Sequence, residues 1–172
     1  MPNPAVIIEH GPLPGLLGDV VALHGRYYAR HWGFPASFEG QVAREMADFQ
    51  ARYDPTRDRI AWVRTEDRVL ASITLDGSDP VLPPGMAHLR WFVADGATRG
   101  QGVGALLLRR AIDFARGAGF AKIYLTTFQG LHAASALYHA AGFRVVAETT
   151  GSSWGRTVLE QRLECNLRQQ SS

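Results

Sequence analysis

The sequence predicts a single mixed α+β domain, on three observations. Two helix-like stretches open the chain. Two strand-like runs around a tight turn follow them. A strand–helix–strand unit then lies in the second half, among neighbours that read as antiparallel. That order gives a central, mostly antiparallel sheet of six to seven strands with about four helices on its two faces, and not a doubly wound parallel sheet.

The elements run as follows. "GLLGDVVALHGRYYARHWG" carries Leu16, Leu17, Val20, Val21, His24, Tyr27 and Tyr28 at helical spacing, and "SFEGQVAREMADFQARY" repeats the pattern through Val42, Met46 and Phe49 until Asp54-Pro55 stops it. "DRIAWVRT" and "RVLASITLD" flank the turn "ED", and "GSDPVLPPGM" is a proline-rich loop before the strand "AHLRWFVAD". A helix over 102–116 ends at "GAG", where glycine closes the last turn. "AKIYLTT" is a strand, "HAASALYHAAGF" a short helix closed by Gly142, and "FRVVAET" and "RTVLEQRLE" the last two strands.

The 172 residues suit one well-packed domain spanning 1–172. With 46% hydrophobic and 20% charged residues, the composition is that of an ordinary globular chain. No run approaches the ~18 apolar residues of a membrane span, and the start shows no basic, then apolar, leader pattern. A single cysteine, Cys165, excludes an internal disulfide and a cysteine-based zinc site. A reducing, cytoplasmic location is expected, with no membrane partner. The net charge of +2 and the scattering of seventeen arginines argue against a nucleic-acid partner. No H-E-x-x-H or comparable cluster suggests a metal.

The most informative segment is "TRGQGVGALLLRR". It places Gly100, Gly102 and Gly104 where a helix must nucleate, although glycine there costs roughly 0.5–1 kcal/mol each against alanine. A strand, a glycine turn and a helix start together bind phosphate. The first helical N–H groups lack partners, the helix dipole favours an anion, and Arg99 adds a fixed cation. The string from Gly100 to Ala105 also fits G-x-G-x-x-A, a dinucleotide fingerprint. That reading needs a carboxylate closing the next strand, where Phe128 and Gln129 stand. A tight turn serving no ligand is the third alternative.

The surroundings resemble the GNAT family of acyl-CoA-dependent N-acyltransferases. "RGQGVG" matches its R/Q-x-x-G-x-G/A loop through Arg99, Gly102 and Gly104, and "ALYHAAGF" its LYxxxGF ending through Tyr138, Gly142 and Phe143. "HGRYYARHWGF" with "SFEGQVAREMADF" is similar to the acetyltransferase half of proteins in which a winged-helix MarR-type regulator is fused to a GNAT domain. Only about fifteen residues precede the first helix here. Two positions depart from the family pattern: Gly96, where proline is common, and His132, where a small polar residue is common.

The resemblance implies a GNAT fold splayed near Ala94. It also implies direct transfer of an acetyl group from acetyl-CoA to a primary amine of a small molecule or protein, and a homodimer is a candidate assembly. By the same resemblance, the backbone of Phe92, Val93 and Ala94 would hold the pantetheine arm. The loop Arg99, Gly100, Gln101, Gly102, Val103, Gly104 and Ala105, with His132, would hold the rest of the cofactor. Tyr138 would be the general acid and His88 the general base, with His24 and His31 as the alternatives for the base. Arg90 shares the His88 face by strand alternation and could attract an acidic part of the substrate. His24, Tyr27, Tyr28, His31 and Glu39 on the first two helices would meet the acceptor. Core packing is the competing role for Phe92, Val93 and Tyr138, and a CoA-binding module without turnover the competing function.

Overall fold

A computed structural model describes residues 7–168. Its elements are β1 (Glu9–His10), α1 (Leu16–Trp32), α2 (Ala36–Ala51), β2 (Arg59–Arg64), β3 (Val69–Asp76), β4 (Met86–Ala94), α3 (Val103–Gly117), β5 (Lys122–Phe128), α4 (His132–Ala140), β6 (Arg144–Gly151) and β7 (Val158–Asn166). The expected order is present, with a two-residue edge strand, β1, added in front. The seven strands form one sheet in the order β1-β2-β3-β4-β5-β7-β6. Only β4 and β5 run parallel, as the β-α-β unit requires.

Strand alternation feeds two cores. Ala61, Val63, Ala71, Ile73, Leu75, Ala87 and Leu89 point to one face, where α3 packs through Leu107, Leu108, Ala111 and Ala115. Ile60 and Trp62 point to the other, beneath α1 and α2 with Val20, Phe38, Val42, Met46 and Phe49. The alternation breaks in β4. Ser72 pairs with Val93 but Thr74 with Arg90, so three steps on β4 answer two on β3. This bulge holds Trp91 at φ 47, the left-handed region that a bulky side chain rarely occupies. It moves Val93 into the α1/α2 core, while Ala87 and Leu89, of the same parity, stay under α3.

The sheet is splayed, although it opens earlier than expected. β4 and β5 pair only from Met86–Lys122 to His88–Tyr124. Beyond that point residues 89–94 and 125–128 diverge, and the facing edges of the two strands have no ladder between them. The opening therefore starts at His88 and extends to Ala94.

A buried charge network fastens β3 to α2. Asp76, whose side chain is 0% exposed, accepts from Arg52 Nη1 at 2.7 Å and Nη2 at 2.6 Å, and from Arg90 Nη1 at 3.3 Å. Burial raises the Asp76 pKa, but the two guanidiniums outweigh it and hold the carboxyl below its usual range. Asp76→Ala leaves both arginines without this partner. Breaking a buried pair costs about 3 kcal/mol, so Tm should fall by roughly 6–12 °C for a chain of this size. A Tm within 2 °C of wild type in calorimetry would show that the network contributes little.

Candidate active site

The opening between β4 and β5 widens into a cavity of about 280 Å³ that passes from the start of α3 to α1 and α2. Its walls include Phe92, Ala94, Gly104, Leu137 and Tyr138 at one end, and Val93, Tyr27, Tyr28, Phe34, Phe38, Phe128 and Trp154 at the other. His88, Arg90, Gln41 and Glu45 supply polar groups.

The loop before α3 is shaped by its own side chains. Asp95 accepts from the Ala97 N–H at 2.8 Å, and Gln101 Nε2 donates back to the Ala97 carbonyl at 3.0 Å. Gln101 therefore braces the turn rather than extending its side chain toward a ligand. Gly100 and Gly102 have φ of 76 and 69, and a Cβ at either would meet nothing within 4 Å. Their first requirement is thus the left-handed backbone. Gly104 differs: a Cβ there would lie 3.1 Å from Leu137 Cδ1 and 3.5 Å from Phe92 Cζ. It lets α3 approach α4 and the β4 wall. The first hydrogen bond of α3 runs from Leu106 N–H to the Gly102 carbonyl. The amides of Val103, Gly104 and Ala105 are left without intrahelical partners, while the Val103 side chain is buried in the core. Arg99 and Ala105 are exposed on the same segment. The start of α3, which reaches the cavity at Gly104, offers N–H donors, and the parted strands offer unpaired edges to an extended chain.

Tyr138 is 6% exposed on α4, edge-on to Phe92 at 5.9 Å and to Phe143 at 5.7 Å. Burial, with Tyr28 adding to it, pushes its pKa above the ordinary phenol value. The ring is packed as a core residue, yet it also lines the cavity.

His88 stacks on Tyr124 at 4.2 Å, at the point where the strands part. Burial lowers its pKa to about 3; Arg90 and Arg162 add to the shift and Asp76 opposes it. The ring is neutral at physiological pH. So weak a base gains little from taking a proton. His24 is 2% exposed; Nδ1 lies 2.8 Å from the Val20 carbonyl, and burial lowers its pKa to about 4 against that hydrogen bond. With Nδ1–H donating to Val20, Nε2 is a buried acceptor with no partner.

These two rings carry a pH prediction. An unfolded histidine takes a proton near pH 6.5, whereas the folded chain refuses it until about pH 4 or below. Their contribution to stability is complete above pH 6.5 and declines as pH falls, by up to ~1.4 kcal/mol per unit for each ring. Tm should drop between pH 7 and 5, with a shallower slope in His88→Gln; an unchanged slope would mean that the His88 ring is solvated.

Two residues expected at the acceptor, Glu39 and His31, and one expected at the cofactor, His132, do not line the cavity. Glu39 is exposed, and its carboxylate covers Gly25 of α1, where a Cβ would sit 2.8 Å from Oε1. His31 is exposed, 4.7 Å from the Tyr27 ring, and His132 is exposed at the start of α4; neither lines the cavity. The carboxylate that does is Glu45, which accepts from Arg90 Nη2 at 2.6 Å and from Gln41 Nε2 at 3.1 Å. Arg90, over the Trp91 ring at 4.2 Å, is held between Glu45 and Asp76. Glu45, Gln41 and Trp91 were not anticipated. Gln41 and Glu45 flank Val42 and follow Phe38 by three and seven residues, a spacing that places them beside the buried stripe of α2.

A splayed sheet with the unpaired first amides of a helix beside its opening is the architecture of an acyltransferase. The chain belongs to the acetyltransferase (GNAT) family, whose profile matches residues 23–143. It is 29% identical to human N-acetyltransferase 8 over 119 residues, 68% of this chain and 52% of that protein. It is 27% identical to zebrafish (Danio rerio) N-acetylaspartate synthetase over 130 residues, 75% of this chain and 45% of that one. The chain thus spans about half the length of the curated relatives it matches. Among solved structures, a GNAT-family acetyltransferase of Staphylococcus aureus Mu50 superposes with a TM-score of 0.74 at 16% identity, over 95% of this chain and 100% of that one. The yncA protein of Salmonella typhimurium, solved with its cofactor acetyl-CoA, gives 0.72 at 18%, over 98% and 97%. Among the described residues no helix is long and apolar enough to cross a membrane, and no three His, Cys, Asp or Glu side chains are grouped to hold a metal.

Proposed function

We propose that this chain transfers an acetyl group from acetyl-CoA directly to a primary amine. The observation that carries the reading is the continuity of one cavity, from the unpaired amides of α3, along the open edges of β4 and β5, to the pocket under α1 and α2. The first part fits the donor. The amides of Val103, Gly104 and Ala105, with Arg99, suit a pyrophosphate, and residues 92–94 offer free backbone groups to an amide-containing arm. The resemblance of α1 and α2 to the acetyltransferase half of MarR–GNAT fusions supports assigning the other end to the acceptor.

Acetyl-CoA supplies an activated thioester; the protein supplies position and proton management. As the amine nitrogen bonds to the acetyl carbon, the carbon–sulfur bond breaks. The proton lost by nitrogen balances the one gained by sulfur. Tyr138 keeps its proton at every working pH, so its hydroxyl is always ready to donate a hydrogen bond to the developing thiolate. A thiol with a pKa near 8.5 is more acidic than this phenol, so complete transfer from Tyr138 is uphill. It proceeds only as the amine releases its own proton. Neutral His88 accepts a hydrogen bond from the amine and orients its lone pair. Glu45 is the second acceptor within the cavity.

The test is release of free thiol from acetyl-CoA, measured against a panel of amines. Amine-dependent release supports the enzyme. Acetyl-CoA binding with no turnover on any amine would leave the alternative, a CoA-binding module.

A further inference from the structure

We infer that the acceptor is a small arylalkylamine: a primary amine joined by a short chain to an aromatic ring, with no carboxylate beside it. This rests on the transferase reading above and names the substrate class of that site. The first observation is the wall opposite the donor end. Tyr27, Tyr28, Phe34, Phe38, Phe128 and Trp154 line it. Their rings already pack in stacked and edge-on pairs, Tyr28 to Phe34 at 5.4 Å, Tyr28 to Phe38 at 5.1 Å and Phe128 to Trp154 at 5.7 Å. A further ring continues that pattern. A polyamine would find no counter-charges along these faces.

The second observation is charge. With His24 and His88 neutral, the charged side chains on the cavity wall, among the described residues, are Glu45 and Arg90. Arg90 is committed to Glu45 at 2.6 Å and to Asp76 at 3.3 Å. An amino-acid acceptor would have to separate that pair to seat its carboxylate. An amine without one leaves the pair intact and finds acceptors in Glu45 and His88.

The third observation is closure. The connection between β6 and β7 bends over the aromatic end. Arg156 donates to the Trp32 carbonyl, and Gly155 sits so close to Pro35 that a Cβ would lie 2.7 Å from its Cγ. Trp154, between these anchors and Phe128, roofs the pocket. The anchored connection narrows that end, which favours a short molecule over a protein N-terminus.

The experiment uses the full chain. Phenethylamine and tryptamine are compared with spermidine, L-phenylalanine and an alanine-initiated tripeptide, by calorimetric titration and by kcat/KM with saturating acetyl-CoA. The two arylalkylamines should exceed each comparator by about 10²-fold, the discrimination expected when an apolar pocket is filled and a buried pair is left undisturbed. Trp154→Ala should raise KM for tryptamine about tenfold with KM for acetyl-CoA unchanged, and Trp154→Phe should recover most of the loss. Equal or better use of spermidine, L-phenylalanine or the tripeptide overturns the inference. Acetyl-CoA binding without binding or acetylation of either arylalkylamine also overturns it. Arylalkylamine binding without any acetyl-CoA binding would uphold the pocket assignment and remove the transferase reading instead.

Discussion

Tyr138→Phe should lower kcat by about 10²–10⁴-fold, the usual range for a positioned proton donor, while acetyl-CoA binding stays within twofold of wild type. The ring is buried against Phe92 and Phe143, and phenylalanine keeps both contacts. Among the described residues no hydrogen bond holds the Tyr138 hydroxyl, so its removal leaves no protein group unpartnered. Stability should therefore change little. Lost rate with retained affinity marks an interaction made mainly in the transition state. If Tyr138 is only a packed core residue, the Phe variant keeps its rate and Tyr138→Ala loses Tm. Steady-state kinetics with an acetylated amine, together with thermal melts of both variants, separate the two. A kcat within threefold of wild type in the Phe variant would remove Tyr138 from the reaction.

What the sequence revealed, and what it hid, divides along physical lines. Elements with a strong period were legible: the stripe through Val20, Val21 and His24, the alternation of "RTVLEQRLE" and the glycine-rich start of α3 correspond to α1, β7 and the loop. Strand β1 was not, because two residues, Glu9 and His10, carry no period. The bulge at Trp91 was also hidden; "HLRWFVAD" reads as regular, and only pairing with β3 shows two residues of β4, Trp91 and Phe92, against one of β3, Ile73. Along the site, backbone-mediated positions were legible through their glycines. Side-chain partnerships were not, since Arg90 meets Glu45 across 45 positions and Asp76 across 14. Glu39 illustrates the difference. It resembles Glu45 in composition and helix, but six residues is about 1.7 turns, which turns one carboxylate over Gly25 and the other into the cavity. The neutrality of His88 was likewise out of reach, because it follows first from burial, to which Arg90 and then Arg162 on β7 add.

Gly102→Val should abolish the stabilisation that acetyl-CoA confers on the wild type. At a ligand concentration near 100 Kd, binding to the folded state alone adds about 2.7 kcal/mol, which corresponds to roughly 5–11 °C in Tm for a chain of this size. NADH, the ligand of the competing dinucleotide reading, should give no shift. In the valine variant the acetyl-CoA shift should fall below ~1 °C. Two effects act together. Gly102 caps α3 at φ 69 and ψ 14, where a β-branched side chain is strained, at a cost of about 1–3 kcal/mol. The Cβ also projects from the loop into space empty of protein, beside the free amides of Val103, Gly104 and Ala105 that an anion must reach. Gly102→Ala separates the two: it shares the strained backbone but adds the least bulk, so it should lower the apo Tm similarly and retain part of the acetyl-CoA shift. Gly104→Ala is the contrasting variant. Its Cβ presses on Leu137 at 3.1 Å, so its main effect should be a lower Tm through the α3–α4 contact. A Gly102→Val protein that is folded and still gains the full acetyl-CoA shift would place the pyrophosphate away from α3, and with it the donor end of the cavity.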